Sequence, residues 1–213
     1  VSETVEHVAT FTFTMPDCAV EVIAEFTEHS ASNYTDIRTD DWYYEAIQFV
    51  SDLGYFKGID EDIFAPHWNM TRAMFVTSFG RLAGIDPSQY TDAPAYTDVE
   101  EGMWYTAYIQ WATEEGIVLG YGDGTFGPED IITREQMALL MYKFIKWAGY
   151  DVEPQNSNWM NRYIDTDDIS DWAKEAVEWS VGIGLMKGTS ETTIAPKAPA
   201  TRAEVAQLIK NFC

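Results

Sequence analysis

Three tryptophans set a register that most of the chain obeys. From Trp42, Trp104 and Trp172 a glycine follows twelve positions on (Gly54, Gly116, Gly184) and another at sixteen (Gly58, Gly120, Gly188). A proline follows at twenty-four (Pro66, Pro128, Pro196), and a Thr-Arg pair at twenty-nine and thirty (Thr71-Arg72, Thr133-Arg134, Thr201-Arg202). No insertion breaks this stretch in any copy. Self-similarity of this kind marks a repeat architecture. The units are read as 34–84, 96–149 and 163–213. Each is too short to bury a sizeable core alone, so the three are expected to pack together.

Each unit reads as helix, loop, helix. In the second copy, "WYTAYIQWATEEG" places Trp104, Tyr108, Trp111 and Ala112 at helical spacing, with Gly116 as a C-cap. "GIVLGYGDGTFGPEDII" is too rich in glycine to continue the helix and reads as a structured turn. Thr133 is an N-cap, because Gln136 follows three residues later and an apolar-periodic run to about Trp147 comes after it. Residues 1–28 differ: Phe11, Phe13 and Met15 alternate with threonines, a Pro-Asp turn follows, and a second alternating run ends at Phe26. That is the pattern of a β-hairpin, read as the end of an upstream β domain. The expected fold class is therefore mainly α, with three tandem helix-loop-helix units and a short N-terminal hairpin.

The Thr-Arg pair raises a chemical question. Arg72, Arg134 and Arg202 each fall just inside a helix N-terminus, where a cation meets the positive end of the macrodipole. Two readings stand. Such an end offers free N–H groups, so an arginine beside it suits a bound anion. Alternatively, each arginine pairs with a repeat-opening acid, Asp36, Asp98 or Asp165. The three register tryptophans, set in the helical stripe, read as core. Trp68 and Tyr121, in loops, are the candidates for exposed platforms, with Gly120 and Gly122 flanking the latter.

Net charge is −22, from 35 acidic and 13 basic residues, which argues against nucleic-acid binding. No apolar run is long enough for a transmembrane helix, and "VSETVEHVAT" is not a signal peptide. Cys18 and Cys213 match no metal motif and read as unpaired thiols. "DGTFGPED" and "DTDDISD" lack EF-hand spacing, so no metal is assigned. The acids recur where caps belong, and no nucleophile or metalloprotease motif occurs, so no catalytic residue and no cofactor is assigned.

The three copies resemble S-layer homology motifs of bacterial surface proteins. The residues that carry the resemblance are "YTD", "YTD" and "YID" at the openings, then "GYFKG", "GIVLG" and "GLMKG", and above all "GYGDGTFGPEDIITREQ". The resemblance implies a pseudo-threefold arrangement with a central three-helix bundle. It implies a secreted, cell-surface protein, monomeric in solution, anchored by wall glycan bound in grooves between repeats. In many relatives that glycan carries an acidic pyruvate ketal, and the arginine of a Thr-Arg-Ala-Glu motif contributes to its site. With the loop candidates above, the expected ligand set is Arg72, Arg134, Arg202, Gly120, Tyr121, Gly122 and Trp68. Only the third copy has the full "TRAE"; the others read "TRAM" and "TREQ", and only the second keeps the glycine-rich loop. The grooves are therefore expected to be inequivalent. Self-association in a lattice, or anchoring to unmodified peptidoglycan, are the alternative functions.

Overall fold

The computed structural model describes residues 33–91, 96–153 and 157–213, with backbone alone at 157–159. The hairpin read for residues 1–28, and Cys18 with it, lies outside the described residues. Within them the chain forms six α-helices: α1 Tyr44–Asp52, α2 Arg72–Leu82, α3 Thr106–Glu114, α4 Arg134–Trp147, α5 Lys174–Gly182 and α6 Arg202–Phe212. Each repeat thus contributes a shorter first helix and a longer second one.

The second helices start where the Thr-Arg pairs stand. Thr71, Thr133 and Thr201 are extended, and each side-chain oxygen accepts the N–H three residues on, from Met74, Gln136 and Glu204. Gln136 and Glu204 return the bond to the threonine N–H and complete capping boxes; Met74 has no oxygen to return. An N-cap of this kind contributes about 1 kcal/mol. The first helices end at Gly54, Gly116 and Gly184, all with left-handed φ of 70°, 69° and 78°.

The repeats close on one another as a ring. Met70 donates its N–H to Ala200 O (2.9 Å), Ala200 donates to Ile132 O (2.9 Å), and Ile132 donates to Met70 O (3.0 Å). These are equivalent positions in the three repeats, and all three side chains are fully buried. Around this triangle, each first helix packs on the second helix of the preceding repeat: α3 on α2, α5 on α4, and α1 on α6. The third repeat thereby completes the first. The second helices form the centre: Phe79 stacks on Phe144 (4.9 Å between centroids), and Phe144 meets Phe212 edge-on (5.9 Å). Phe64, Phe75, Phe79, Phe126, Met137 and Met141 are among the largest fully buried side chains, each contributing about 1.5–3 kcal/mol.

One expectation is corrected. Trp42, Trp104 and Trp172 are 61%, 50% and 52% exposed, not core. The first helices begin two residues after each tryptophan, which places it off the helical stripe. The next residue, Tyr43, Tyr105 or Ala173, takes the buried position instead.

Candidate functional site: three inter-repeat grooves

The opening Tyr-x-Asp of each repeat organises its loop. The Tyr34, Tyr96 and Tyr163 rings lie against Gly58, Gly120 and Gly188, where an added Cβ would come within 2.5, 2.6 and 2.7 Å of ring carbons. That close approach is why the second register glycine recurs. Two residues later the aspartate grips the loop. Asp36 accepts N–H bonds from Phe64 (2.9 Å) and Ala65 (2.7 Å), Asp98 from Phe126 (2.8 Å) and Gly127 (2.7 Å), and Asp165 from Ile194 (2.9 Å) and Ala195 (2.7 Å).

The arginines hold the same loop residues from the other side. Arg202 Nε donates to Phe64 O (2.8 Å), Arg72 Nε to Phe126 O (2.9 Å) and Arg134 Nε to Ile194 O (2.9 Å). Each arginine reaches into the following repeat, cyclically. Neither simple reading of the sequence had this geometry: the acids bind loop amides, and the arginines bind carbonyls of the same residues. The helix N-termini are not free either. Arg72 and Ala73 N–H donate to Asp130 O and Pro128 O, Arg134 and Glu135 to Ala198 O and Pro196 O, and Arg202 and Ala203 to Trp68 O and Pro66 O. With the threonine caps, the N–H groups of the first three residues of each second helix are all bonded within the protein.

What remains available is guanidinium. All three arginines are buried, at 5%, 3% and 3% exposure, yet each lines a groove. Every groove draws on all three repeats: an arginine from one, the loop and second helix from the next, and the register tryptophan from the third. Groove 1, about 290 Å³, combines Arg202, repeat 1 and Trp104. Groove 2, about 380 Å³, combines Arg72, repeat 2 and Trp172. Groove 3, about 560 Å³, combines Arg134, repeat 3 and Trp42.

Their electrostatics differ most directly at the third residue of each second helix, which faces the arginine. In groove 3 that residue is Glu204, whose Oε1 lies 2.6 Å from Arg134 Nη1. Arg134 Nη2 donates to Lys187 O (2.5 Å), so every nitrogen of this guanidinium has a protein partner. Groove 2 has Gln136 there, and groove 1 has Met74. Arg72 is sandwiched 4.6 Å from the Tyr121 and Phe126 ring centres, and its terminal nitrogens donate to no acceptor among the described residues. Arg202 lies 4.4 Å from the Phe56 ring centre and donates Nη2 to Lys57 O (2.7 Å), with no carboxylate paired to it among the described residues. Burial pushes the Arg72 guanidinium down from its ordinary range and brings Arg202 to about 10; both stay cationic at neutral pH. Lys57 and Arg81 also line groove 1, and Lys143, lowered by burial, lines groove 2; no acid lines either.

The S-layer homology domain model matches residues 33–74, 95–138 and 162–206, well over half of the chain in three copies. The chain belongs to the S-layer homology domain family. It is 31% identical over 189 residues to an amylopullulanase of Thermoanaerobacterium thermosulfurigenes, which covers 86% of this chain and 10% of that protein. It is 32% identical over 159 residues to a cellulosome-anchoring protein of Acetivibrio thermocellus (74% of this chain, 35% of that one). An S-layer protein of Bacillus thuringiensis subsp. finitimus is 27% identical over 197 residues, or 92% of this chain and 23% of the relative. The chain spans at most about a third of these relatives. S-layer homology proteins of this kind are cell-surface proteins, and no helix among the described residues is long and apolar enough to cross a membrane.

Within the S-layer homology triplet, the residues singled out in the sequence divide. Arg72, Gly120 and Tyr121 line groove 2 together, while Arg134 and Arg202 line grooves 3 and 1. Gly122 and Trp68 line none of the three grooves. Trp68 is 63% exposed, and its carbonyl serves as the acceptor for the Arg202 N–H. Sequence reasoning missed the groove role of Trp42, Trp104, Trp172, Lys143 and Arg81. Their threefold recurrence or cationic character was visible, but which repeat they would face was not.

Proposed function

We propose that the chain is a non-catalytic anchoring module, monomeric in solution, that holds a larger surface protein to the bacterial cell wall through an anionic wall polysaccharide. Grooves 1 and 2 take its acidic sugar, a pyruvate ketal where the wall supplies one.

 The observation that carries this reading is Arg72: buried, stacked between two rings, with end nitrogens that no described residue accepts, in a groove that no carboxylate lines. Asp130 and Asp98 offset its burial only from a distance, so the desolvated cation remains costly, and a ligand carboxylate relieves that cost through two parallel charge-assisted bonds. The exposed face of Trp172 supplies an apolar platform for the sugar ring in the same groove. Because the protein carries net charge −22, it repels polyanions at long range, and the grip is confined to these local cations.

The test is co-sedimentation with purified wall sacculi, before and after hydrofluoric acid strips the accessory polymer. Arginine-to-alanine variants would damage the fold as well as the groove, so the informative variants are Trp172→Ala with Lys143→Ala for groove 2, and Trp104→Ala with Arg81→Ala for groove 1. Binding lost on stripping, and weakened in at least one double variant that still unfolds like the wild type, supports the reading. Binding indifferent to stripping points to peptidoglycan, and concentration-dependent assembly without wall points to a lattice module.

A further inference from the structure

Groove 3 differs from its two counterparts in more than the loss of a free cation. Its guanidinium is neutralised by Glu204 at 2.6 Å, and the pair is held in place because Glu204 Oε2 also accepts the Thr201 N–H (2.8 Å) in the α6 capping box. Gln207 and Asn211 stand one and two turns beyond Glu204 on the same helix and line the groove, where grooves 1 and 2 have Thr77 and Arg81, or Leu139 and Lys143. The two amides bond to each other (2.7 Å), and Asn211 also donates to Leu185 O (3.2 Å), which orients them. Trp42 provides a half-exposed aromatic face. The remaining cation is Lys187, solvent-exposed and therefore strongly screened.

An aromatic face beside fixed amides and a carboxylate, with its arginine already paired, suits hydroxyl and acetamido groups rather than charge. Seating an anion there would set it against Glu204 without releasing a free guanidinium edge. We infer that groove 3 is a subsite for a neutral sugar, while grooves 1 and 2 take acidic ones. The inference rests on the glycan-binding reading above and adds a division of labour to it: one polymer strand presents charged and uncharged units to different grooves of the same molecule.

The three register tryptophans allow each groove to be read separately. Uniformly ¹⁵N-labelled protein would be titrated with the methyl glycoside of a neutral N-acetylhexosamine, and with the same sugar carrying a carboxylate ketal. The indole N–H signals of Trp42, Trp104 and Trp172 would be assigned by Trp→Phe variants. The neutral glycoside should move the Trp42 signal, and the acidic one the Trp104 or Trp172 signal. Glu204→Gln copies the residue that repeat 2 already has at this position and keeps a capping box, so it should fold normally. It should raise the affinity of groove 3 for the acidic sugar by about tenfold or more, the scale of one charge-assisted contact. An acidic sugar that moves Trp42 as readily as Trp172 in the unaltered protein overturns the inference, as does Glu204→Gln with no gain. Either result leaves the anchoring reading intact; silence of all three signals toward both sugars would remove both.

Discussion

Arg202 donates its Nε to the carbonyl of Phe64, 138 residues earlier in the chain, while Asp36 holds the N–H of the same phenylalanine. A residue gripped at both ends in this way is a joint between the last repeat and the first. The same joint occurs at Phe126 and Ile194.

Replacing any of the three arginines with alanine is therefore expected to destabilise the protein. It strands buried carbonyls at about 1–3 kcal/mol each. Arg202→Ala loses bonds to both Phe64 O and Lys57 O, and Arg134→Ala also strands Glu204, so each should cost about 2–4 kcal/mol. Arg72→Ala, with a single hydrogen bond, should cost less. Urea denaturation of the three variants gives the ranking.

The residue before each loop proline has left-handed φ: 58° at Ala65, 71° at Gly127 and 54° at Ala195. Alanine is strained there and glycine is not. Ala65→Gly and Ala195→Gly should each stabilise the fold by about 0.5–1 kcal/mol, net of glycine's greater freedom when unfolded. Gly127→Ala should do the reverse and more, because its Cβ would stand 2.4 Å from Asp130 Oδ2 and 2.7 Å from a Tyr121 ring carbon. Thermal melts of the three variants would show opposite signs if the backbone argument holds.

Met74→Glu separates stability from binding. It would complete the missing capping box of α2 and place a carboxylate where Glu204 stands in groove 3, facing Arg202. Stability should rise by about 1 kcal/mol. Acidic-sugar binding in groove 1, read by the Trp104 indole signal, should fall at the same time.

The contact that closes α6 on α1 includes Lys210 Nζ at 2.6 Å from Glu45 Oε2. The hydrogen bond from Lys210 holds the Glu45 carboxyl below its ordinary value of 4.5. A depressed folded pKa means that the stabilisation is present above 4.5 and lost as pH falls through the lower folded value. Lys210→Met should flatten the acid limb of the melting-temperature profile in that window, leaving other limbs unchanged. The effect will be small, because Glu45 is exposed and screened.

Local chemistry made much of this fold legible. Thr71, Thr133 and Thr201 cap helices by bonding three residues ahead, and Gly54, Gly116 and Gly184 stop helices through their own φ; neither depends on distant neighbours. The tryptophans were misread because a helix start displaced by two residues moves a side chain off its stripe. The arginines were half legible: their place at a helix start was plain, but their acceptors are backbone carbonyls of another repeat, and a carbonyl has no sequence identity. The same holds for Glu204. It completes the "TRAE" of its own repeat, yet it neutralises Arg134 of the one before, so the copy with the fullest motif closes a neighbour's cation while its own Arg202 faces a different groove.

The triangle of Met70, Ile132 and Ala200 fixes the copy number. An open stack of repeats ends in unsatisfied edges, where duplication can add another unit and loss of one shortens the stack. Here each N–H already has its carbonyl, and the third unit uses up what the first left open. A fourth copy would find no vacant partner, and two copies would leave a donor and an acceptor facing away from each other. A further unit fused beside this triplet would therefore have to bury its open edge somewhere other than the triangle.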